Sequence, residues 1–567
     1  MLAAPTEYLL ASGGDSRLYL DPVHLLNGYG CRPWPQPEIF TFASSTATLL
    51  SPRGFTAAAA AQQQLIELSA KLGLESACDL LLESVRQRIR SALKLDRAET
   101  EIVFSPSGTD SQVQALFIAQ SILGGPVVNV IVASDETGSG TPCSTTGHHF
   151  NWVTAQGDVV PKEERIEGFP DDTTSIEIPL RDGLGRLQSP NAIDEQVMAA
   201  VERSITLGKR VILHVMDSSK FGSRCPSLEC IEQIRVKRGP YVQIVVDACQ
   251  IRLGRRRLRY YLSQNFLVLI TGSKFFAGPP LSGALLIPPR VSERMSRVEN
   301  IPAGLGLYTS RNDWPVAWHG IRSKLPSHPN VGQLLRWVAA TEEMKAYFAV
   351  PQDFRFRALR IFSRIVPGMI AESANLELLP ISDDASGDGI DDEEMALRTI
   401  FPFLVRCGGR RCSLEECSLI YRALNWDISN VLPRSAASQQ RQVAAQCCHI
   451  GQPVTVKRPD RSEAGTLRIS AGARVVSDSW STAGLAASLR KLDGELDQVL
   501  TIIQKIEIIA QCFDAISEMD ELRSLKAISR APSLDGLAAG GLLPIALLNR
   551  SSDPVRSGSV RPRGMES

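Results

Sequence analysis

The chain has 567 residues, and its 61 basic and 61 acidic side chains cancel. That balance leaves no global field for nucleic acid, an anionic membrane or an acidic partner, so localised sites must carry the function. The length exceeds the roughly 250–300 residues that one core organises, and more than one domain is expected.

The opening stretch, MLAAPTEYLLASGGDSR, has neither a basic n-region nor a sustained apolar h-region. No later stretch reaches the roughly 20 apolar residues of a membrane span. A cytoplasmic protein is expected, in which the twelve cysteines stay as thiols. Residues 1–59, with the glycine- and aromatic-rich GGDSRLYLDPVHLLNGYGCRPWPQP, read as an N-terminal arm. From about 60 to 95 the spacing of Leu, Ile and Ala predicts helix. EIVFSPSG, VVNVIVAS, RVILHVMDSS, YVQIVVDA and FLVLITGS follow, short β-branched runs that end on small or polar residues with helical stretches between several of them. This is the pattern of an α/β fold, a mostly parallel sheet covered by helices, over residues 60–335.

NVGQLLRWVAATEEMKAYFAV predicts a helix that leads into a smaller α/β domain, residues 336–530. Within it, 381–395 reads as an acidic, glycine-rich loop, and 531–567 reads as a disordered tail. Cys407, Cys412 and Cys417 recur every five residues. Without the paired short spacings of zinc modules they read as buried helical thiols, and no metal site is expected.

Ligands of open α/β sheets sit beyond the carboxyl ends of the strands. After EIVF, Ser107, Gly108 and Thr109 open an amphipathic helix. The free N–H groups there, with two hydroxyls, suit a phosphate, though the same residues also serve as an ordinary N-cap. Asp247 ends one apolar run and Lys274 lies just past the next, each a charge that is costly to bury alone. They either pair with each other or serve one ligand. Pyridoxal 5'-phosphate calls for an acid on its ring nitrogen, a lysine on its aldehyde and an anion site for its phosphate.

Asp247, Gln250, Lys274 and Gly278-Pro279 together resemble the hallmark of fold type I pyridoxal-phosphate (PLP) enzymes. Within these the chain is similar to the class V aminotransferase and cysteine desulfurase group. The resemblance implies a seven-stranded-type sheet in a large domain, a smaller C-terminal domain, and a homodimer with sites at the subunit interface. It gives Lys274 the internal aldimine, Asp247 the pyridinium and Gln250 the ring hydroxyl. Ser107, Gly108, Thr109, Thr271 and Ser273 would hold the phosphate. HVMDSSKFG places Ser219 where an Asn usually meets the cofactor, and GTLRISAGARVV gives Arg468 the substrate carboxylate. Thr309 would reach the partner subunit's phosphate, and the stretch from Asn27 through Tyr29 to Gly30 would shape the substrate pocket.

The departures bear on the reaction. Thr137 stands where a histidine often stacks on the cofactor, and His148 or His149 could supply that ring from a longer loop. In AAQCCHIGQPV, Cys447 and Cys448 are shifted from the His-Cys-x-x-Pro thiol of one desulfurase branch. The expectation is an amino-acid substrate handled through an external aldimine and a quinonoid. Elimination, replacement or carbon-bond formation at the β- or γ-carbon in a specialised biosynthetic pathway would follow. Cysteine desulfurase, class V aminotransferase and an inactive scaffold are the alternatives.

Overall fold

A computed structural model describes residues 2–96, 100–381, 390, 392–457 and 463–530. The tail expected at 531–567 and most of the acidic loop expected at 381–395 lie outside the described residues.

The N-terminal arm carries α1 (Thr6–Leu10) and β1 (Phe40–Phe42). The helical stretch after it is two helices, α2 (Pro52–Leu72) and α3 (Leu74–Leu93). Gly73 divides them at φ +81°, a conformation that glycine tolerates and other residues avoid. Ser51 caps α2 directly before Pro52, the residue best suited to a first helical position.

Strand and helix then alternate. The order is β2 (Glu101–Ser105), α4 (Gly108–Leu123), β3 (Val127–Val132), α5 (Thr141–Thr145), β4 (Thr174–Ile178) and α6 (Pro190–Thr206). It continues with β5 (Arg210–Met216), α7 (Leu228–Arg238), β6 (Val242–Ala248), α8 (Arg255–Ser263), β7 (Leu267–Thr271) and β8 (Gly283–Ile287). Strands β2 to β8 form one seven-stranded sheet in the order β2-β8-β7-β6-β5-β3-β4. Every neighbouring pair is parallel except the two made by β8. This is the mostly parallel sheet that the β-branched runs predict. β3 and β7 are buried at every position, as strands between two helical layers must be.

The helices α9 (Pro289–Met295) and α10 (His319–Lys324) lead to α11 (Val331–Ala349), which packs on α2 and α3. After α12 (Gln352–Ala371) come β9 (Leu376–Leu378), β10 (Ile400–Cys407), β11 (Arg410–Arg411), α13 (Leu414–Ala423) and α14 (Ser438–Ala445). The described chain closes with β12 (Cys448–Lys457), β13 (Glu463–Ser470), α15 (Ala473–Ser479), α16 (Leu485–Gln511) and α17 (Phe513–Arg530). The second sheet runs β1-β12-β13-β10-β11, with β9 on β10. Its first strand belongs to the arm, with Phe40 opposite Cys448 in a parallel pair. The arm is therefore built into the second sheet.

Cys407, Cys412 and Cys417 are buried, but only Cys417 is helical. Cys407 ends β10 and Cys412 follows β11, so a hairpin step and a helical turn make the five-residue recurrence. The Cys412 and Cys407 sulfurs lie 3.1 Å apart. Among the described residues no helix is long and apolar enough to cross a membrane.

Candidate active site

Parallel pairing of β6 with β7 places Asp247 opposite Leu269, so the residues just past Thr271 lie on the same carboxyl edge as Asp247. Lys274 is in the loop that leaves there. The Gly272 N–H bonds Ser282 O at 2.8 Å, and the Gly278 N–H returns to Gly272 O at 2.9 Å. A Cβ on Gly278 would stand 2.6 Å from that of Ala340 on α11. Only glycine allows the loop to sit so close to the helix. The Gly-x-Lys and Gly-Pro pairs of the sequence are thus the two feet of a loop that presents Lys274.

Asp247 is half-buried. Its carboxylate accepts from the Thr137 hydroxyl at 3.3 Å and from the Cys249 N–H at 3.1 Å. Lys274 is also half-buried, and among the described residues its amine has neither a hydrogen bond nor an ion pair. No Asp247–Lys274 ion pair forms, so the two charges do not satisfy each other.

The start of α4 faces the same edge. A Cβ on Gly108 would stand 2.5 Å from the Cys249 sulfur, which is how closely the helix end approaches the end of β6. Ser107 Oγ caps the Thr109 and Asp110 N–H groups and donates to the Asp110 carboxyl at 2.5 Å. Arg17, from the arm, donates to Ser107 Oγ at 3.0 Å while paired with buried Asp15. Burial and the nearby Asp15 push the Asp110 carboxyl up to about 7, which weakens its repulsion of an anion here. Thr109 and Ser273 keep hydroxyls without a described partner, whereas Thr271 spends its hydroxyl on Cys249 O at 2.7 Å.

Arg468, on β13, is 1 % exposed. Its guanidinium donates to Lys220 O at 3.2 Å, to Thr46 Oγ1 at 3.0 Å and to Gln452 O, and its Nε has no partner. Burial lowers it to about 10. Ser219 donates to Glu136 Oε2 at 2.5 Å, and the Lys220 N–H bonds Glu136 O at 3.1 Å. Burial pushes the Glu136 carboxyl up to about 7. Lys220 is lowered to about 8 by burial and by the fields of Arg468 and Lys274.

Gln250, three residues past Asp247, is buried; its amide donates to Ser45 O at 2.9 Å and accepts from Arg252 at 2.8 Å. The turn at Asn27 is held near Arg468: Asn27 Oδ1 accepts from the N–H groups of Tyr29 and Cys31, and Gln452 bonds both Gly28 O and Arg468. Tyr29 itself lies within electrostatic reach of Arg17. His148 bonds Thr146 at 2.9 Å and His149 bonds Tyr308 at 2.6 Å, and no described bond of either ring reaches Asp247 or Lys274. Thr309 is fully buried, with its hydroxyl shared among Asp313, Trp314 and Gln114.

Arg17, Glu136, Lys220 and Arg252 escape the sequence reading. Lys220 directly follows Ser219 and Arg252 follows Gln250 by two residues, so proximity to a motif is their one sequence signal. Arg17 and Glu136 become visible only through long-range packing.

The group that these residues suit is pyridoxal phosphate, and the structure permits a test of fit. An acid and an amine without ionic partners share one strand edge, and a helix N-terminus with free hydroxyls and an arginine stands beside them. Donor types and their unsatisfied state both match the group's ring nitrogen, aldehyde and phosphate.

No family model and no curated protein matches the chain. Solved structures similar to it include the cysteine desulfurase CsdA from Escherichia coli, at 16% identity and TM-score 0.44 over 82% of this chain and 96% of that one. A complex of the cystine C-S lyase C-DES with its product cysteine persulfide is similar at 14% identity and TM-score 0.46, covering 82% and 98%. Mouse CSAD is similar at 15% identity and TM-score 0.44, covering 82% and 83%.

Proposed function

We propose that this chain is a pyridoxal-phosphate-dependent enzyme acting on an amino acid. One observation carries the reading: Asp247 and Lys274 share a sheet edge and neither has an ionic partner there. When bound, the group supplies an aldehyde that captures amines and a ring that accepts electron density from the α-carbon. Asp247 would keep a proton on the ring nitrogen. Thr109, Ser273, Arg17 and the first N–H groups of α4 would hold the phosphate, and Gln250 would bond the ring hydroxyl. Arg468 would dock the substrate carboxylate through its unpartnered Nε, a charge-assisted contact that fixes the α-carbon. The Lys274 amine, once released, would take the α-proton as general base.

For the step that follows, we favour elimination, replacement or carbon-bond formation at the β- or γ-carbon. Sulfur transfer to a protein thiol, the desulfurase alternative, needs a thiol that can reach the site. Burial pushes Cys448 up to about 12, while the thiol of half-buried Cys447 has, among the described residues, one bond, to Asn425 O at 3.4 Å, and is the freer of the two. Persulfide on Cys447 after incubation with cysteine would favour that alternative.

The central test is optical. Protein supplied with pyridoxal phosphate is expected to show a visible Schiff-base band that borohydride removes, leaving a pyridoxyl adduct on Lys274 by mass. Lys274→Ala should show neither. A wild-type protein with no band at saturating cofactor would refute the proposal.

A further inference from the structure

Three cations, Arg468, Arg252 and Lys220, make no ion pair among the described residues. Arg468 gives its described bonds to two carbonyls and a hydroxyl. Arg252, 6 % exposed, gives its own to Thr399 Oγ1, Gln250, Ser44 Oγ and Ala471 O, all uncharged. Lys220 is half-buried, and among the described residues its amine has no hydrogen bond and no ion pair. Buried charges without partners are costly, and a structure keeps them where a ligand supplies the opposite charge.

Arg252 is saturated by neutral acceptors and serves to position Gln250 and the arm. Arg468 and Lys220 retain donors. The Arg468 side chain is tied to the Lys220 backbone: its guanidinium donates to Lys220 O, and the Phe221 ring lies 6.0 Å from the guanidinium carbon. The Lys220 N–H bonds Glu136 O at 3.1 Å while Lys220 O takes the Arg468 guanidinium at 3.2 Å, which holds the residue directly against the arginine. Glu136 O accepts the Lys220 N–H, yet the two side chains make no ion pair among the described residues. Its Oε2 is taken by Ser219 and its Oε1 is buried without a partner.

Resting on the reading of the site given above, we propose that Lys220 is a specificity residue. It selects an amino acid with a second anionic group on its side chain, while Arg468 holds the α-carboxylate. A substrate with one carboxylate would leave the Lys220 ammonium uncompensated in the closed site. A substrate with two would neutralise both cations. The geometry gives the class, a dianionic amino acid, and the second anion is a carboxylate or another oxyanion of similar size.

Calorimetric titration with amine-free analogues tests this without turnover. Succinate carries both anions and butyrate carries one at similar length. Wild-type protein loaded with pyridoxal phosphate is expected to bind succinate about ten- to a hundredfold more tightly than butyrate, as one charge-assisted contact allows. Lys220→Met should bring the ratio close to one with butyrate affinity unchanged, and Lys220→Arg should restore most of it. Both variants must keep the wild-type melting temperature for the comparison. A wild-type ratio near one, or a ratio that survives Lys220→Met, would overturn the proposal. The same titration on cofactor-free protein separates this failure from that of the broader reading. If no Schiff-base band ever forms but the succinate preference follows Lys220, the two-cation pocket stands and the cofactor assignment falls.

Discussion

Glu136 is 1 % exposed, and desolvation holds its carboxyl up at about 7. In the unfolded chain the same group ionises near the ordinary value of about 4.3. Between those values the native state retains a proton that the unfolded state has lost, so the residue costs stability as pH rises and the cost levels off above about 7. Glu136→Gln abolishes this. Relative to the variant, wild-type protein is expected to lose on the order of 3 kcal/mol between about pH 4 and pH 8, readable from urea unfolding at both values. An equal difference at both would mean that water reaches the carboxyl. At this scale the sequence was partly legible. Asp247 and Lys274 stand out because a charge at the end of an apolar run is itself anomalous. Glu136 and Lys220 do not, because each is an ordinary polar residue in a loop until folding buries the one and leaves the other without a partner.

The arm shows how far one side chain can organise an element. Arg336, fully buried on α11, donates to Leu10 O at 3.0 Å, Gly13 O at 2.7 Å, Ser12 O, and Leu281 O at 2.7 Å in the loop before β8. Removing it takes a donor from four carbonyls, of which Gly13 O keeps Asn330 Nδ2 at 2.9 Å. Arg336→Ala is expected to destabilise the protein by roughly 3 kcal/mol or more, and hydrogen exchange should rise first in residues 8–18. Uniform exchange across the chain would show that the arm is held by other contacts. The seven-stranded sheet was legible from sequence because its runs are buried on both faces and read as unbroken β-branched stretches. Strand β1 was not. Three residues have no periodicity to recognise, and their partner β12 lies about four hundred residues away in the chain.

The two sheets meet where the lysine loop touches the end of β13. Phe275 O accepts from the Ala473 N–H at 2.6 Å, and Arg252 binds Ala471 O and Ser44 Oγ beside it. A Cβ on Gly472 would stand 2.7 Å from Phe275 O and 2.8 Å from Ser44 Cβ. Gly472→Ala therefore wedges arm, loop and strand apart, and is expected to lower stability by about 1–3 kcal/mol in thermal or urea unfolding. An unchanged melting temperature would show that the junction yields without cost. This junction is invisible to local sequence patterns, since the motifs around Lys274 and Arg468 say nothing of the contact between their segments and the arm. The bond at Phe275 has a practical side. It is one residue from Lys274 and five from Arg468, so under the roles proposed for these two residues a ligand drawing on Arg468 would tug at the backbone next to Lys274. Colour at the lysine would then act as a built-in gauge of occupancy at the arginine, and candidate substrates could be ranked by eye of the spectrometer before any product is known.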